Sequence, residues 1–294
     1  MKHGKLQRRE TVAGFLFLLP NFLGFSVFIL FPMLFSLILS FTEWNMVSPI
    51  QFVGFQNFIN IFQDEMFFKV LRNTFQYMIM IIPSGFTIAL ILALALNHKL
   101  KGTIFFRSVI FLPVVISWAA TAMIWTWLLN REFGLINYLL WNFGVPQIGW
   151  LNDPNYSMLA IVIVALWHDT GYNMTIMLAG LQTIPRHLYE AASIDGANAL
   201  QRFRYVTLPM LSPTLFFLVV IAVIQTFQVF DLIFIMTGGG PVNSTRTIVQ
   251  YVYDSGFTFF RMGYASALAW IMFLFLFIFT WIQFRAQKNV VTYG

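Results

Sequence analysis

Six stretches of about 20 or more mostly apolar residues constrain this chain more than any other feature. They cover roughly residues 12–41, 75–96, 105–129, 158–180, 210–236 and 265–284. About 20 residues of α-helix, rising about 1.5 Å each, cross the roughly 30 Å hydrocarbon layer of a bilayer. Each backbone polar group in that layer must be satisfied internally, and runs of this length do so as helices. The composition fits. Hydrophobic residues make up 59% and charged residues 10% of the 294, against roughly a quarter charged in a soluble domain. The 17 Lys and Arg and 11 Asp and Glu cannot cover a soluble globule with this much apolar bulk. A cytosolic enzyme, a disordered chain and a nucleic-acid binder are excluded. With 0 Cys there is no disulfide, thiol nucleophile or zinc–thiolate site. His3, His98, His168 and His187 are scattered without metal-ligand spacing. The expected fold class is all-α, a polytopic membrane protein with six transmembrane helices.

Lys and Arg set the orientation. With the N-terminus in the cytoplasm, the inner segments hold Lys2, Lys5, Arg8, Arg9, Lys99, Lys101, Arg107, Arg186, Arg202, Arg204, Arg285 and Lys288. The outer segments hold Lys69, Arg72, Arg131, Arg246 and Arg261. This asymmetry places both termini inside. Trp44, Trp125, Trp127 and Trp281 fall near span ends, as in an interfacial belt, whereas Trp118 and Trp167 fall mid-span. The first run is about twice the length of a signal-peptide core and lacks a small-residue cleavage site. It reads as an uncleaved first span, with Pro20 and Pro32 as points where it kinks or breaks.

Two spans carry acids. Asp169 in the fourth is accompanied by His168, Thr170, Tyr172, Asn173 and Thr175, and Asp231 in the fifth by Gln225, Thr226 and Gln228. Spacings of three and four put Asp169, Tyr172 and Asn173 on one helix face and Gln225, Gln228 and Asp231 along another. Such rows serve either to bind ligand hydroxyls or to glue helices together. Asp169 and Asp231 as a proton or ion relay would instead make a secondary transporter. Trp118 and Trp167 either stack on a ligand ring or, more plainly, pack as membrane aromatics. There is no H-E-x-x-H, G-x-S-x-G or G-x-x-x-x-G-K-[ST] run to carry enzyme chemistry. Gly238-Gly239-Gly240 has no following Lys and reads as a helix end and turn.

The inner loop over residues 182–209 reads QTIPRHLYEAASIDGANALQRFRYVTLP. Pro185 suits a helix first turn, and Gly196 can supply a positive-φ turn. Arg202, Phe203, Arg204 and Tyr205 form a second segment that Pro209 ends. The residues describe two short helices at the membrane surface, bent at Gly196. Alone they fit an interfacial amphipathic element.

The spacing says more. Glu190-Ala191-Ala192, three residues, Gly196, nine residues, Val206, one residue and Leu208-Pro209 resembles the EAA loop of membrane subunits of binding-protein-dependent ABC importers. Val206 stands where that family usually has Ile. Phe52-Val53-Gly54-Phe55-Gln56-Asn57-Phe58 resembles the FVG-x-x-NF stretch of the carbohydrate branch, and Gly239-Gly240-Pro241 its GGP element. Ile184-Pro185 and Tyr189 also fit. The chain is similar to sugar permeases of the maltose type, with glycerol-3-phosphate permeases as near relatives. The resemblance implies a type I ABC importer permease fold, one permease domain over residues 1–294, in the cytoplasmic membrane. It implies a coupling loop in which Glu190, Ala191, Ala192, Asp195, Gly196, Leu208 and Pro209 meet an ATPase. The implied partners are a second, homologous permease, against which the first span commonly packs, a dimeric cytoplasmic ATPase that holds ATP and Mg2+, an extracytoplasmic sugar-binding protein and the sugar. No cofactor, metal or catalytic residue is implied in this chain. The fourth and fifth spans would flank the pathway, which makes His168, Asp169, Tyr172, Asn173, Gln225, Thr226, Gln228 and Asp231 candidates to line it.

The asymmetry of basic residues makes a prediction. A reporter fused after Gly294 should read as cytoplasmic, and one that reads as external would overturn the assigned topology.

Overall fold

The structure, a computed structural model, describes residues 2–97 and 102–291. Lys99 and Lys101, which support the orientation above, lie outside the described residues. The side chains of Lys2, Lys5, Arg8 and Arg9 are likewise not described. The chain forms two compact units, Met1–Gln63 with Val252–Ile271, and Asp64–Tyr251 with Met272–Gly294.

The first unit opens with helix α1 (Lys2–Phe25), a π-turn (Ser26–Leu30) and α2 (Phe31–Leu39). Pro20 and Pro32 do not break this run. A proline ring clashes with the carbonyl four residues back, and for Pro32 that residue is Phe28, inside the widened π-turn. The long apolar helix is almost entirely exposed. A two-residue hairpin follows, β1 (Thr42–Glu43) against β2 (Gln51–Phe52), with Thr42 opposite Phe52. Then comes α3 (Gln56–Gln63). The Phe52–Phe58 stretch is a clasp on the end of α2. Gly54 turns the chain at φ +58°. Asn57 donates to Ser40 O at 3.0 Å and to Thr42 O at 2.8 Å, and Phe41 packs with Phe55 and Phe58.

The second unit is a bundle around one central helix. It contains α4 (Glu65–Leu96), α5 (Thr103–Phe111), a 3₁₀ turn (Leu112–Val115), α6 (Trp118–Leu128), α7 (Leu135–Asn142) and α8 (Pro154–Thr183). After these come α9 (Arg186–Ile194), α10 (Ala199–Arg202), a π-turn (Phe203–Thr207), α11 (Leu208–Phe227) and α12 (Asp231–Met236). Helix α13 (Ile248–Tyr253) and α14 (Met262–Val290) pass between the units in sequence. Among the described residues, Glu10–Leu39, Glu65–Leu96, Ala199–Phe227 and Met262–Lys288 are long and apolar enough to span, and the α5–α6 pair makes a fifth. Helix α8, at 30 residues, is about 45 Å long and is the sixth by length, its apolarity diluted by polar residues.

Three spans differ from expectation. The second begins at Glu65 rather than near Phe75, because Asp64 caps it by accepting from Met66 N at 2.9 Å. The third, expected as one helix over 105–129, is broken at Ile116 and Ser117 and bends by 98°. Pro113 tightens the preceding turn, and Ser117 caps α6 through a bond from Ala120 N. The fifth, expected to run over 210–236, ends at Phe227, and Asp231 starts a separate short helix.

Helix α8 is the hub because small residues let neighbours approach. A Cβ on Gly171 would run into the Ile110 carbonyl and the Phe111 Cα of α5. Ala160, Val164 and Ala165 lie in one core cluster with Leu232 and Ile233, and Met174, Met177 and Leu181 in another with Ala89 and Leu211. Gly171→Val should lower stability by about 1–3 kcal/mol, since backbone cannot yield to the new side chain. Gly85→Ala, whose Cβ meets only the tip of Leu166 at 3.3 Å, should lose less. Thermal unfolding of the purified protein in detergent ranks the two, and the reverse order would overturn the packing argument.

Candidate functional site

The second break of the second unit lines a cavity of about 280 Å³, and the first ends beside it at Trp118. Irregular backbone at membrane depth persists only where it is buried in protein or lines a cavity, because exposed peptide groups there lack partners. The first break frees the carbonyl of Ile116, which accepts from His168 Nε2 at 3.0 Å. The second leaves Gln228, Val229 and Phe230 non-helical, and Val229 O accepts from the Thr247 hydroxyl at 3.2 Å. Each break is held by a side chain from another element.

The polar wall comes from Asp169, Thr170 and Asn173 of α8, Gln225 and Thr226 of α11, and Gln228 and Asp231 beyond the break. The expected row Gln225, Gln228, Asp231 is therefore not a face of one helix. The three converge because α11 stops at Phe227 and the chain turns at Gln228 (φ −99°, ψ 4°). Two candidates do not line the cavity. Tyr172 packs with the core cluster around Met174, since a full helix turn separates the inward-facing Asp169 and Asn173 and Tyr172 falls beside that line. His168 is buried behind the wall.

His168 nonetheless conditions the wall. A carbonyl only accepts, so Nε2 carries a hydrogen toward Ile116 O. The Nδ1 to Asp169 Oδ1 contact of 2.8 Å needs a second proton, on either the imidazole or the carboxyl. Trp118 stacks on the imidazole with centroids 3.8 Å apart and also lines the cavity. Trp167 meets Trp125 edge-on and is 42% exposed, as a plain membrane aromatic would be. Residue reading missed Tyr77, Gly85 and Phe86 of α4, which also line the cavity. The available signal was Gly85 four and eight residues along from Ile81 and Tyr77, on one helical face. No Lys or Arg is among the lining residues.

The loop over 182–209 is built as a lever. Helix α9 ends with Asp195 N bonded to Ala191 O, Ala197 N to Ala192 O at 2.9 Å, and Gly196 at φ +79°, a glycine C-terminal cap. The next helix starts at once, with Asn198 and Gln201 forming a reciprocal capping box. Pro185 stands at the N-cap, one residue before the first turn. Pro209 does not end the second segment. From Ala199 the helix runs unbroken to Phe227, because the carbonyl that Pro209 would strike, of Tyr205, lies in the π-turn. Leu208 and Pro209 thus sit in the first turn of α11. Tyr189 is fixed by its hydroxyl contact with Thr207 at 3.0 Å, and Arg202 by donation to Ser193 Oγ at 3.1 Å. Leu188, Tyr189 and Val206 pack on the core cluster of α8 and α11. Glu190, Ala191, Asp195 and Gly196 remain exposed, as do Ile194 and Leu200; Ala192 is half-buried.

Comparison with known proteins gives one consistent answer. A family model described as the binding-protein-dependent transport system inner membrane component matches residues 85–291. The chain is 36% identical, over 100% of its length and 96% of the relative's, to the probable ABC transporter permease protein YesP of Bacillus subtilis (strain 168). It is 38% identical to the lactose transport system permease protein LacF of Rhizobium radiobacter, covering 97% of each. It is 35% identical to the sn-glycerol-3-phosphate transport system permease protein UgpA of Agrobacterium fabrum, covering 83% of each. Among solved structures, a chain of a bacterial ABC transporter involved in import of the acidic polysaccharide alginate superposes with a TM-score of 0.87. It shares 24% identity, over 99% of this chain and 100% of that one.

Proposed function

The chain belongs to the family of binding-protein-dependent transport system inner membrane components, and on that basis we propose that it is the sugar-translocating permease subunit of an ABC importer. It is a multi-pass membrane protein with the fold of an ABC importer permease. In this reading the whole chain acts as one permease domain, with both termini cytoplasmic. It pairs with a second, homologous permease, sits on a dimeric ATPase that supplies ATP and Mg2+, and receives a sugar from an extracytoplasmic binding protein. The almost fully exposed α1 and α2 suit packing against that second permease. The chain itself carries no catalytic residue.

The observation that carries the sugar assignment is the lining of the cavity. Asn173, Gln225 and Gln228 offer both donors and acceptors, Asp169 and Asp231 offer acceptors, and Trp118 and Tyr77 supply aromatic walls. That combination matches a ring bearing many hydroxyls. At about 280 Å³ the cavity lies just below the range that encloses a whole ligand, roughly 300–1,000 Å³, as a half-site completed by a partner would. Glycerol 3-phosphate, a cargo of near relatives, fits less well, because no cation lines the wall to meet a phosphate. An ion relay through Asp169 and Asp231 would make a secondary transporter, whereas the chain belongs to a binding-protein-dependent transport family.

Two experiments test the reading. Asp169→Ala and Gln228→Ala should each lower uptake about tenfold or more, as for a lost hydrogen bond to a buried ligand, with assembly intact. Normal transport by both would remove these residues from the pathway. At the loop, Glu190 forms at most an exposed ion pair with the ATPase, so its loss weakens docking by about 0–1 kcal/mol. Gly196→Val places a Cβ at φ +79°, which costs roughly 1–2 kcal/mol and changes the angle between the two helices. The variant complex should reach the membrane yet lose stimulation of ATP hydrolysis by loaded binding protein. Stimulation at the wild-type level would show that this loop is not the coupling element.

A further inference from the structure

A cation stands at the rim of the bundle without a carboxylate. Arg107 lies about one turn into α5, and its Nη2 donates to the carbonyl of Leu96, the last residue of α4, at 2.7 Å. That bond satisfies one of the open carbonyls at a helix C-terminus. No acidic side chain among the described residues forms an ion pair with Arg107, and the adjacent run His-Lys-Leu-Lys over residues 98–101 contains none. Its Nε is buried with no hydrogen-bond partner among the described residues.

Beside this guanidinium an open groove of about 410 Å³ lies along α5 and α8. Its lining changes with depth. Arg107, Ser108 and Gln182 line the end nearest the helix termini, since α5 begins at Thr103 and α8 ends at Thr183. Thr175 and Ala179 lie farther along α8, and Phe111 one turn beyond Arg107 on α5. At about 1.5 Å per residue, Thr175 sits roughly 10 Å below Gln182. Ser108, Thr175, Ala179 and Gln182 are exposed. The groove thus has guanidinium, hydroxyl and amide donors where three helices end, and a largely apolar channel running toward the hydrocarbon.

We propose that this groove binds an anionic phospholipid, with the headgroup phosphodiester at Arg107, Ser108 and Gln182 and an acyl chain along Phe111 and Ala179. A cation held at the membrane boundary with no acidic partner attracts an anion, and the anion abundant at that height is lipid phosphate. Arg107 lines the groove, so its charge faces a phosphate there while Nη2 keeps its bond to Leu96. The acyl channel distinguishes this ligand from free phosphate. The site is separate from the transport cavity and does not depend on the cargo.

The test uses the chain purified with its native subunits in mild detergent, then exchanged into bilayers of phosphatidylcholine with and without phosphatidylglycerol. Native mass spectrometry and lipid extraction count what is retained. The wild-type complex should retain phosphatidylglycerol over phosphatidylcholine. Arg107→Ala should lower that retention about tenfold, as for a lost charge-assisted bond, and Arg107→Lys by less. Because Arg107→Ala also uncaps α4, Ala179→Trp provides an independent arm. It fills the acyl channel, leaves the cap intact and should release the lipid equally. Retention unchanged in Ala179→Trp overturns the proposal. So does full displacement by excess inorganic phosphate, which would make the ligand a free anion. So does loss of the second permease from Ala179→Trp without loss of lipid, which would make the groove a subunit contact.

Discussion

The need to satisfy backbone groups at membrane depth organises the second unit. A continuous helix satisfies itself; a broken one leaves peptide groups that hydrocarbon cannot accommodate. This chain breaks twice, at Ile116–Ser117 and at Gln228–Phe230, and each break recruits a polar side chain from elsewhere. Thr247 serves Val229 and His168 serves Ile116. Once His168 is fixed, it holds Asp169 at the cavity wall and presents its other face to Trp118. The second break and the residues that brace the first thus shape part of the cavity wall. The polar residues that line it are placed by the same bonds that make irregular backbone tolerable there.

This explains what could and could not be read from the amino-acid sequence. Long helices were legible because apolar length is a one-dimensional signal. The glycine cap at Gly196 and the polar composition of the fourth and fifth spans were legible because they rest on single residues. The second break was not. No Gly or Pro lies between Phe227 and Asp231, so continuing that helix was the natural extrapolation. At the first break the local signals were Pro113 and the Ser117 cap; at the second, a contact such as Thr247 to Val229 is invisible to periodicity. For the same reason Gln225, Gln228 and Asp231 were assigned to one site on geometry that does not hold. They share the cavity through a turn, whereas the helical arithmetic that did apply on α8 was too coarse to separate Tyr172 from Asn173.

Prolines give the converse lesson. Pro20, Pro83 and Pro213 lie inside helices, and Pro32 and Pro209 just after π-turns. In a soluble helix each would mark a boundary. Here the widened turn accepts the ring at Pro32 and Pro209. Losing a helix altogether would expose a full turn of peptide groups to lipid, so local adjustment is the less costly outcome. Pro113, by contrast, keeps its punctuating role, since the third span breaks just after it.

The same continuity bears on how a signal would cross the molecule. The loop at Glu190 hangs between the end of α8 and a helix that runs from Ala199 to Phe227 without interruption. Both helices carry cavity-lining residues at depth, Asp169 and Asn173 on one, Gln225 and Thr226 on the other. From Thr183 back to Asp169 is about 21 Å of helix. The loop's two internal joints are closed by the Gly196 cap and the capping box at Asn198, and its base is packed by Leu188, Tyr189 and Val206. On the α8 side the chain from the loop to Asp169 is one continuous helix. On the α11 side the path also crosses the π-turn at Phe203–Thr207 and Pro213 before the break at Gln228, which is itself a lining residue. Under the proposed coupling role, a push at the loop reaches Asp169 through continuous helix and reaches Gln228 and Asp231 through jointed helix, so the two walls of the cavity would move unequally.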